Sequence, residues 1–171
     1  MPIPHYVLAL RKKIGNDLML LPGVTAVVFN ERGELLLQRR SDNGRWGILG
    51  GVMEPGDSPD GAILREIEEE TGLRVTIDRL SGVYAEPSVT YSNGDQSQYV
   101  TICFRCLAAA GQTPRITDDE SLELTWFAAD QLPADLVKRR QAESHGRQAP
   151  DIQQTHDTGQ DQARRGREHG P

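Results

Sequence analysis

The chain is short of several things, and each shortage closes a class of function. Only two of its 171 residues are cysteine, Cys103 and Cys106, so it lacks the disulfide framework that staples many small secreted domains. Their C-x-x-C spacing has no second cysteine pair to complete a zinc site, and in a strand residues i and i+3 face opposite ways. Buried strand thiols are the expectation. No segment approaches the roughly 18 to 20 apolar residues of a membrane span. The N-terminus has no apolar signal-peptide core either, which makes the cytoplasm the expected compartment. Positive charge is in deficit: 19 Lys and Arg against 25 Asp and Glu leave a net charge of -6. That balance argues against broad binding to nucleic acid or to an anionic membrane. No internal repeat is present.

What remains is enough for one core, with 37% apolar residues. They stop early. Residues 138–171 hold only Ala142, Ala149, Ile152 and Ala163 as apolar side chains, too few to offset the entropy of ordering. We read a folded domain over 1–137 and a disordered polar tail over 138–171. The tail carries seven Lys and Arg against five acids, so the acidity belongs to the domain, with 12 cations against 20 acids. Three of the four histidines, His145, His156 and His169, fall in the tail at no metal-ligand spacing. An acidic protein acting on phosphates needs metal ions to bridge the repulsion.

The stretch from Gly50 to Leu73 organises the rest. Gly50, Gly51 and Gly56 suit a loop, Asp57 or Ser58 can cap a helix, Pro59 suits its first turn, and Gly72 suits the position beyond its end. This punctuation predicts a helix from Pro59 to Thr71. At 100° per residue Glu66, Glu69 and Glu70 share an arc of about 100°, while Glu68 points elsewhere. Ile63, Leu64, Ile67 and Thr71 fill the neighbouring arc, and Arg65 flanks the acids. A solvated face is the ordinary reading of such a run. Yet like charges at i,i+4 cost a helix roughly 0.2 to 0.5 kcal/mol per pair, and acids in the last turn oppose its dipole. A cation offsets both. Clustered hard oxygen ligands on a rigid element suit Mg²⁺ or Mn²⁺.

These residues resemble the signature of the Nudix (MutT-like) hydrolases, G-x5-E-x7-R-E-U-x-E-E-x-G-U, with U a bulky aliphatic. Gly51, Arg65, Glu66, Ile67, Glu69, Glu70, Gly72 and Leu73 match in register. Asp57 stands where the pattern has its first glutamate, and Leu49 where a proline is common. The resemblance implies an α/β fold, the Nudix α/β/α sandwich with a mixed β-sheet. It also implies a metal site of Glu66, Glu69, Glu70 and the Gly50 carbonyl, with Glu66 or a loop acid as general base and Arg65 orienting the glutamates. Asp118-Asp119-Glu120 is the acidic loop, and Glu120 is the expected catalytic member, against a solvated role. The implied reaction is Mg²⁺-dependent hydrolysis of a phosphoanhydride in a nucleoside diphosphate linked to another moiety. ADP-ribose or a nucleotide sugar leads, ahead of oxidised nucleoside triphosphates, dinucleoside polyphosphates and capped RNA. A nucleotide-binding sensor without turnover is the reading from another class. A homodimer is left open.

Around the signature, Val7, Leu10 and Ile14 mark an amphipathic helix over 4–15, whose Arg11, Lys12 and Lys13 are expected on a solvated face. Leu18 to Leu21 read as a short strand ended by Pro22-Gly23. Val24 to Asn30 and Glu34 to Arg40 read as a hairpin joined at Asn30-Gly33, and their continuous apolar character suggests a sheet covered on both faces. Trp46 is expected to pack rather than to hold a base. Further strands are expected at 74–77, 82–85, 98–108 and 122–127. The loop from Glu86 to Gln96 is the candidate for substrate choice. In Nudix subfamilies a downstream proline accompanies ADP-ribose hydrolysis and a tyrosine slightly further on accompanies diadenosine polyphosphates; Pro87 and Tyr91 stand near those two offsets.

Overall fold

A computed structural model describes residues 3–137 of the chain. The expected disordered tail lies outside the described residues. In chain order the elements are α1 (His5–Ile14), β1 (Met19–Phe29), β2 (Leu35–Arg40), β3 (Trp46–Gly47), β4 (Leu49–Val52), α2 (Pro59–Thr71), β5 (Val75–Ala85), β6 (Val89–Thr90), β7 (Gln96–Ala108) and β8 (Ser121–Phe127). The strands form one mixed sheet in the order β3-β2-β1-β7-β5, with β4 on β1, β6 on β7 and β8 on β2. Only the β1–β7 pair is parallel. The α/β expectation holds.

The β1–β2 hairpin closes where predicted, at Asn30 to Gly33, with Phe29 opposite Leu35. Asn30 Oδ1 accepts the backbone N–H groups of Arg32 and Glu34, and Gly33 takes a φ of 74°. Beyond that one pair the strands splay, and β4 fills the gap on β1 from Gly23 to Ala26. Leu49 opens this pairing opposite Ala26 and is fully buried. A proline there would lack the N–H and the side chain that this position uses in the ladder and the core.

Two expected breaks are absent. β1 runs through Pro22-Gly23, paired to β7 without interruption from Met19 to Phe29. In a strand the N–H and C=O of one residue point to the same edge, and the Pro22 carbonyl accepts from Met53, on the β4 side. The missing proline N–H therefore faces the end of β4 and costs β7 nothing. β5 likewise runs through Asp78 to Ser81, absorbing that polar patch as two register shifts against β7.

α2 lies on one face of the sheet. Its Ala62, Ile63 and Ile67 join Val24, Ala26, Val28, Leu36, Leu49, Leu73, Phe104 and Cys106 in the main core. On the other face Leu35, Leu37 and Trp46 pack with Val27, Phe29, Ile48, Phe127 and Leu136. Trp46 meets Phe127 edge to face, ring centroids 5.0 Å apart, so it packs as expected. Both cysteines are buried, Cys106 within the main core and Cys103 outside it. α1 differs in detail from its periodicity: it buries Val7, while Leu10 and Ile14 stay exposed. Among the described residues no helix is long and apolar enough to cross a membrane.

Candidate functional site

Local chemistry sets the helix that carries the acids. Ser58 is the N-cap, its Oγ accepting the Gly61 N–H at 3.2 Å. Such a cap contributes about 1 kcal/mol. Pro59 occupies the first turn, and Gly72 ends the helix with φ 66° and ψ 8°, its N–H donating to the Glu68 carbonyl. Asp57, the other capping candidate, does something else. Its Oδ2 accepts the Glu54 N–H at 3.0 Å and an Arg65 N–H at 3.1 Å. The shorter acid thus ties the loop to the helix.

Arg65 is the hub. Besides Asp57, it lies 2.9 Å from Glu66 Oε1 and 3.1 Å from Glu69 Oε2. The three glutamates differ sharply in environment. Glu66 and Glu70 are buried, at 1% and 3% exposure, whereas the Glu69 side chain is 58% exposed and turned to Arg65. Glu66 Oε1 faces the Arg65 guanidinium without the alignment of a hydrogen bond, and among the described residues Glu70 Oε2 has no hydrogen-bond partner. Burial pushes Glu66 up to about 7, partly opposed by Arg65. Burial, then the Glu66 charge, pushes Glu70 up to about 8. Two adjacent buried carboxylates, of which only Glu66 faces a guanidinium, are costly as anions unless a proton or a further cation joins them.

Gly50 is placed by close approach. It pairs with Thr25 across β4 and β1 and has a φ of 151°. A Cβ there would overlap the Val24 carbonyl and lie 2.7 Å from Thr25 Cα.

A second loop grips the far end of α2. The Arg115 N–H donates to the Thr71 carbonyl at 3.0 Å, and Thr117 Oγ1 donates to the Glu69 carbonyl. These bonds satisfy carbonyls that a helix end leaves open. They also bring Asp118 close enough to raise the pKa of Glu70. Glu120, the acid singled out from the sequence, is half-buried; its N–H donates to Asp118 Oδ1 and its carbonyl accepts from Ser41. Arg40, at the end of β2, pairs with Asp42 at 2.9 Å and is also in electrostatic reach of Glu70. Within the acidic loop named from the sequence, Glu120 is singled out rather than Asp118, and Arg40 is not singled out, because only the fold shows which side chains of those loops come near Glu70.

A family model described as the NUDIX domain matches residues 19–148. The chain belongs to the Nudix family. A MutT-like protein of Streptomyces ambofaciens is 38% identical over 109 residues, which is 64% of this chain and 64% of that relative's length. A putative 8-oxo-dGTP diphosphatase of Bacillus subtilis (strain 168) is 31% identical over 122 residues, 71% of this chain and 76% of the relative. Among solved structures, a MutT protein from Methanosarcina mazei Go1 aligns with a TM-score of 0.55 at 27% identity, over 68% of this chain and 86% of that one.

Nudix hydrolases in general use divalent ions such as Mg²⁺, and the donor set here suits one. The buried carboxylate oxygens of Glu66 and Glu70 are hard ligands. Among the described residues, however, no three His, Cys, Asp or Glu side chains already converge as a metal site. Glu69 is exposed and paired with Arg65.

Proposed function

We propose that this Nudix domain hydrolyses a phosphoanhydride bond in a nucleoside diphosphate linked to another moiety, using Mg²⁺ or Mn²⁺. One observation carries the reading: Glu66 and Glu70 are buried on one helix face, Glu66 facing Arg65 and Glu70 with an oxygen that has no hydrogen-bond partner among the described residues. Glu66, Glu69, Glu70 and the Gly50 carbonyl are the proposed ligands. A divalent ion held there would neutralise the pyrophosphate and make a bound water acidic enough to attack at neutral pH. The protein supplies the rest. Glu66 is the proposed acceptor of the water's proton, with Glu120 as the loop alternative. Arg65 orients Glu66 and Glu69 and, through Asp57, holds the loop before the helix in register. Its fork of donors makes three contacts that a lysine could not.

ADP-ribose or a nucleotide sugar is the first substrate class. The second, oxidised nucleoside triphosphates, is favoured by the Bacillus subtilis relative and its name. The proposed substrate is a small nucleotide in either case, and the acidic domain does not favour long nucleic acid. The test is a panel of ADP-ribose, a nucleotide sugar, 8-oxo-dGTP, a dinucleoside polyphosphate and capped RNA, with Mg²⁺ or Mn²⁺ and product identity as readout. Turnover is expected for at least one. Glu69→Gln and Glu70→Gln are each expected to remove it while the variants stay folded. Full turnover in both would overturn the site assignment. Ligand-induced thermal shifts with no product release anywhere in the panel would favour the sensor reading instead.

A further inference from the structure

The N-terminal helix grips two separated segments, the loop before α2 and the β6–β7 hairpin. Tyr6 donates its hydroxyl to the Met53 carbonyl at 3.0 Å, in the loop that carries β4 into α2. Arg11 holds the other part. Its guanidinium donates to the Gln96 carbonyl and to Ser97 Oγ at 3.0 Å, at the foot of the β6–β7 hairpin, and lies 3.7 Å from the Asp95 carboxylate. It also donates to the Gly15 and Asp17 carbonyls, at 3.2 Å and 2.6 Å, so the turn after α1 is locked to the same group. Only 11% of the side chain is exposed. This is not the solvated cation that the Arg11-Lys12-Lys13 run suggests; Arg11 follows Val7 by one helical turn and shares its buried face.

Between the two grips, Tyr99 packs with Tyr6 on Val7, Met19 and Leu21, and its hydroxyl shares a 2.7 Å hydrogen bond with that of Tyr91. The turn after α1 also abuts the hairpin tip, since a Cβ on Gly94 would lie 2.7 Å from Asn16 Nδ2. The hairpin needs such support. β6 has two residues, paired to β7 only at Val89–Ser97 and Thr90–Gln96, and so short a ribbon does not hold its own position. The hairpin adjoins the signature loop: a Cβ on Gly23 would lie 3.4 Å from the Gly51 carbonyl oxygen and 3.9 Å from the ring of Tyr99, whose hydroxyl is bonded to that of Tyr91.

We infer that α1 is a strap that fixes the β6–β7 hairpin as a wall of the nucleotide cleft, with Arg11 as a positioning residue for substrate. The inference rests on the hydrolase reading of the site but concerns substrate binding rather than the chemical step. A planar fork with several donors aimed at fixed carbonyls is not replaced by an ammonium. Loss of Arg11 therefore frees the hairpin while leaving Glu66, Glu69 and Glu70 in place.

The experiment measures kcat and KM for Arg11→Ala and Arg11→Lys with ADP-ribose and 8-oxo-dGTP in Mg²⁺. KM is expected to rise about tenfold in Arg11→Ala with kcat within about twofold, the pattern of lost ground-state and transition-state binding alike, and Arg11→Lys is expected to recover little. Tyr91→Phe keeps the ring and removes one hydroxyl bond, so KM is expected to rise about fivefold; this variant carries the test should the Arg11 variants not fold. The Arg11→Ala and Tyr91→Phe effects are expected to fall short of additive, because both act on one hairpin. An unchanged KM in the folded variants, even with a lowered Tm, overturns the strap, as does a loss confined to kcat. If the wild-type protein turns over neither probe, the panel substrate that it does turn over replaces them; if it turns over none of the panel, the hydrolase reading fails by itself, and the Kd of the same two probes replaces KM. A Kd unchanged by Tyr91→Phe and Arg11→Lys then overturns the strap alone.

Discussion

Replacing Glu70 by Gln separates the cost of its burial from its use. Below its ordinary pKa near 4.5 the carboxyl is protonated in both folded and unfolded chains, and Gln is a close copy of it. Between 4.5 and about 8 the folded protein keeps a proton that the unfolded chain has released. Stability of the metal-free protein therefore falls with rising pH across that window. At about 1.4 kcal/mol per pH unit, the loss attributable to Glu70 between pH 5.5 and pH 8 is on the order of 3 kcal/mol. For a domain of this size that is a shift in Tm on the order of 10 °C. In EDTA, Glu70→Gln is expected to match the wild-type Tm near pH 4.5 and to exceed it by about that margin at pH 8. Adding Mg²⁺ at pH 8 is expected to raise the wild-type Tm and to leave the variant nearly unmoved, because the ion takes the place of the missing proton. Thermal unfolding followed by circular dichroism from pH 4.5 to 8.5, with and without Mg²⁺, reads both effects. Parallel pH profiles for the two proteins, or equal stabilisation by Mg²⁺, would refute the reasoning.

Two further substitutions probe the neighbours. Arg65→Ala is expected to destabilise the metal-free protein by about 1 to 2 kcal/mol at pH 8, a value kept low because Arg65 is one-third exposed. The loss should shrink at pH 5.5, where Glu66 is protonated; urea denaturation at the two pH values checks the difference, and a pH-independent loss would show that the ion pair to Glu66 is not what matters. Gly50→Ala is expected to cost about 3 kcal/mol or more, since its Cβ would overlap the Val24 carbonyl and the strand cannot yield without breaking β4 from β1. A variant with wild-type Tm would show that β4 tolerates a shift.

The parts of the fold that were legible in the sequence are those written in neighbouring residues. Ser58, Pro59 and Gly72 bound α2 to the residue, because caps act within one turn. Leu49 and Asp57 show the opposite case. As departures from a pattern they read as defects, yet Leu49 is a buried, paired strand residue and Asp57 an anchor for Arg65 and the Glu54 N–H. Pro22-Gly23 and the polar Asp78 to Ser81 read as strand ends because local propensity takes no account of β7, which pairs through both.

By itself the sequence determined the family, the acidic helix face and the exclusion of Glu68 from it, since spacing along a regular helix is enough to set phase. Only the tertiary structure divided the three remaining glutamates into a buried pair and an exposed partner of Arg65. Depth depends on what the sheet and the loop from Arg115 to Glu120 lay over the helix, and no periodicity encodes that. The same holds for Arg11: its neighbours in sequence are two lysines in water, while its neighbours in space are the turn after α1 and the β6–β7 hairpin.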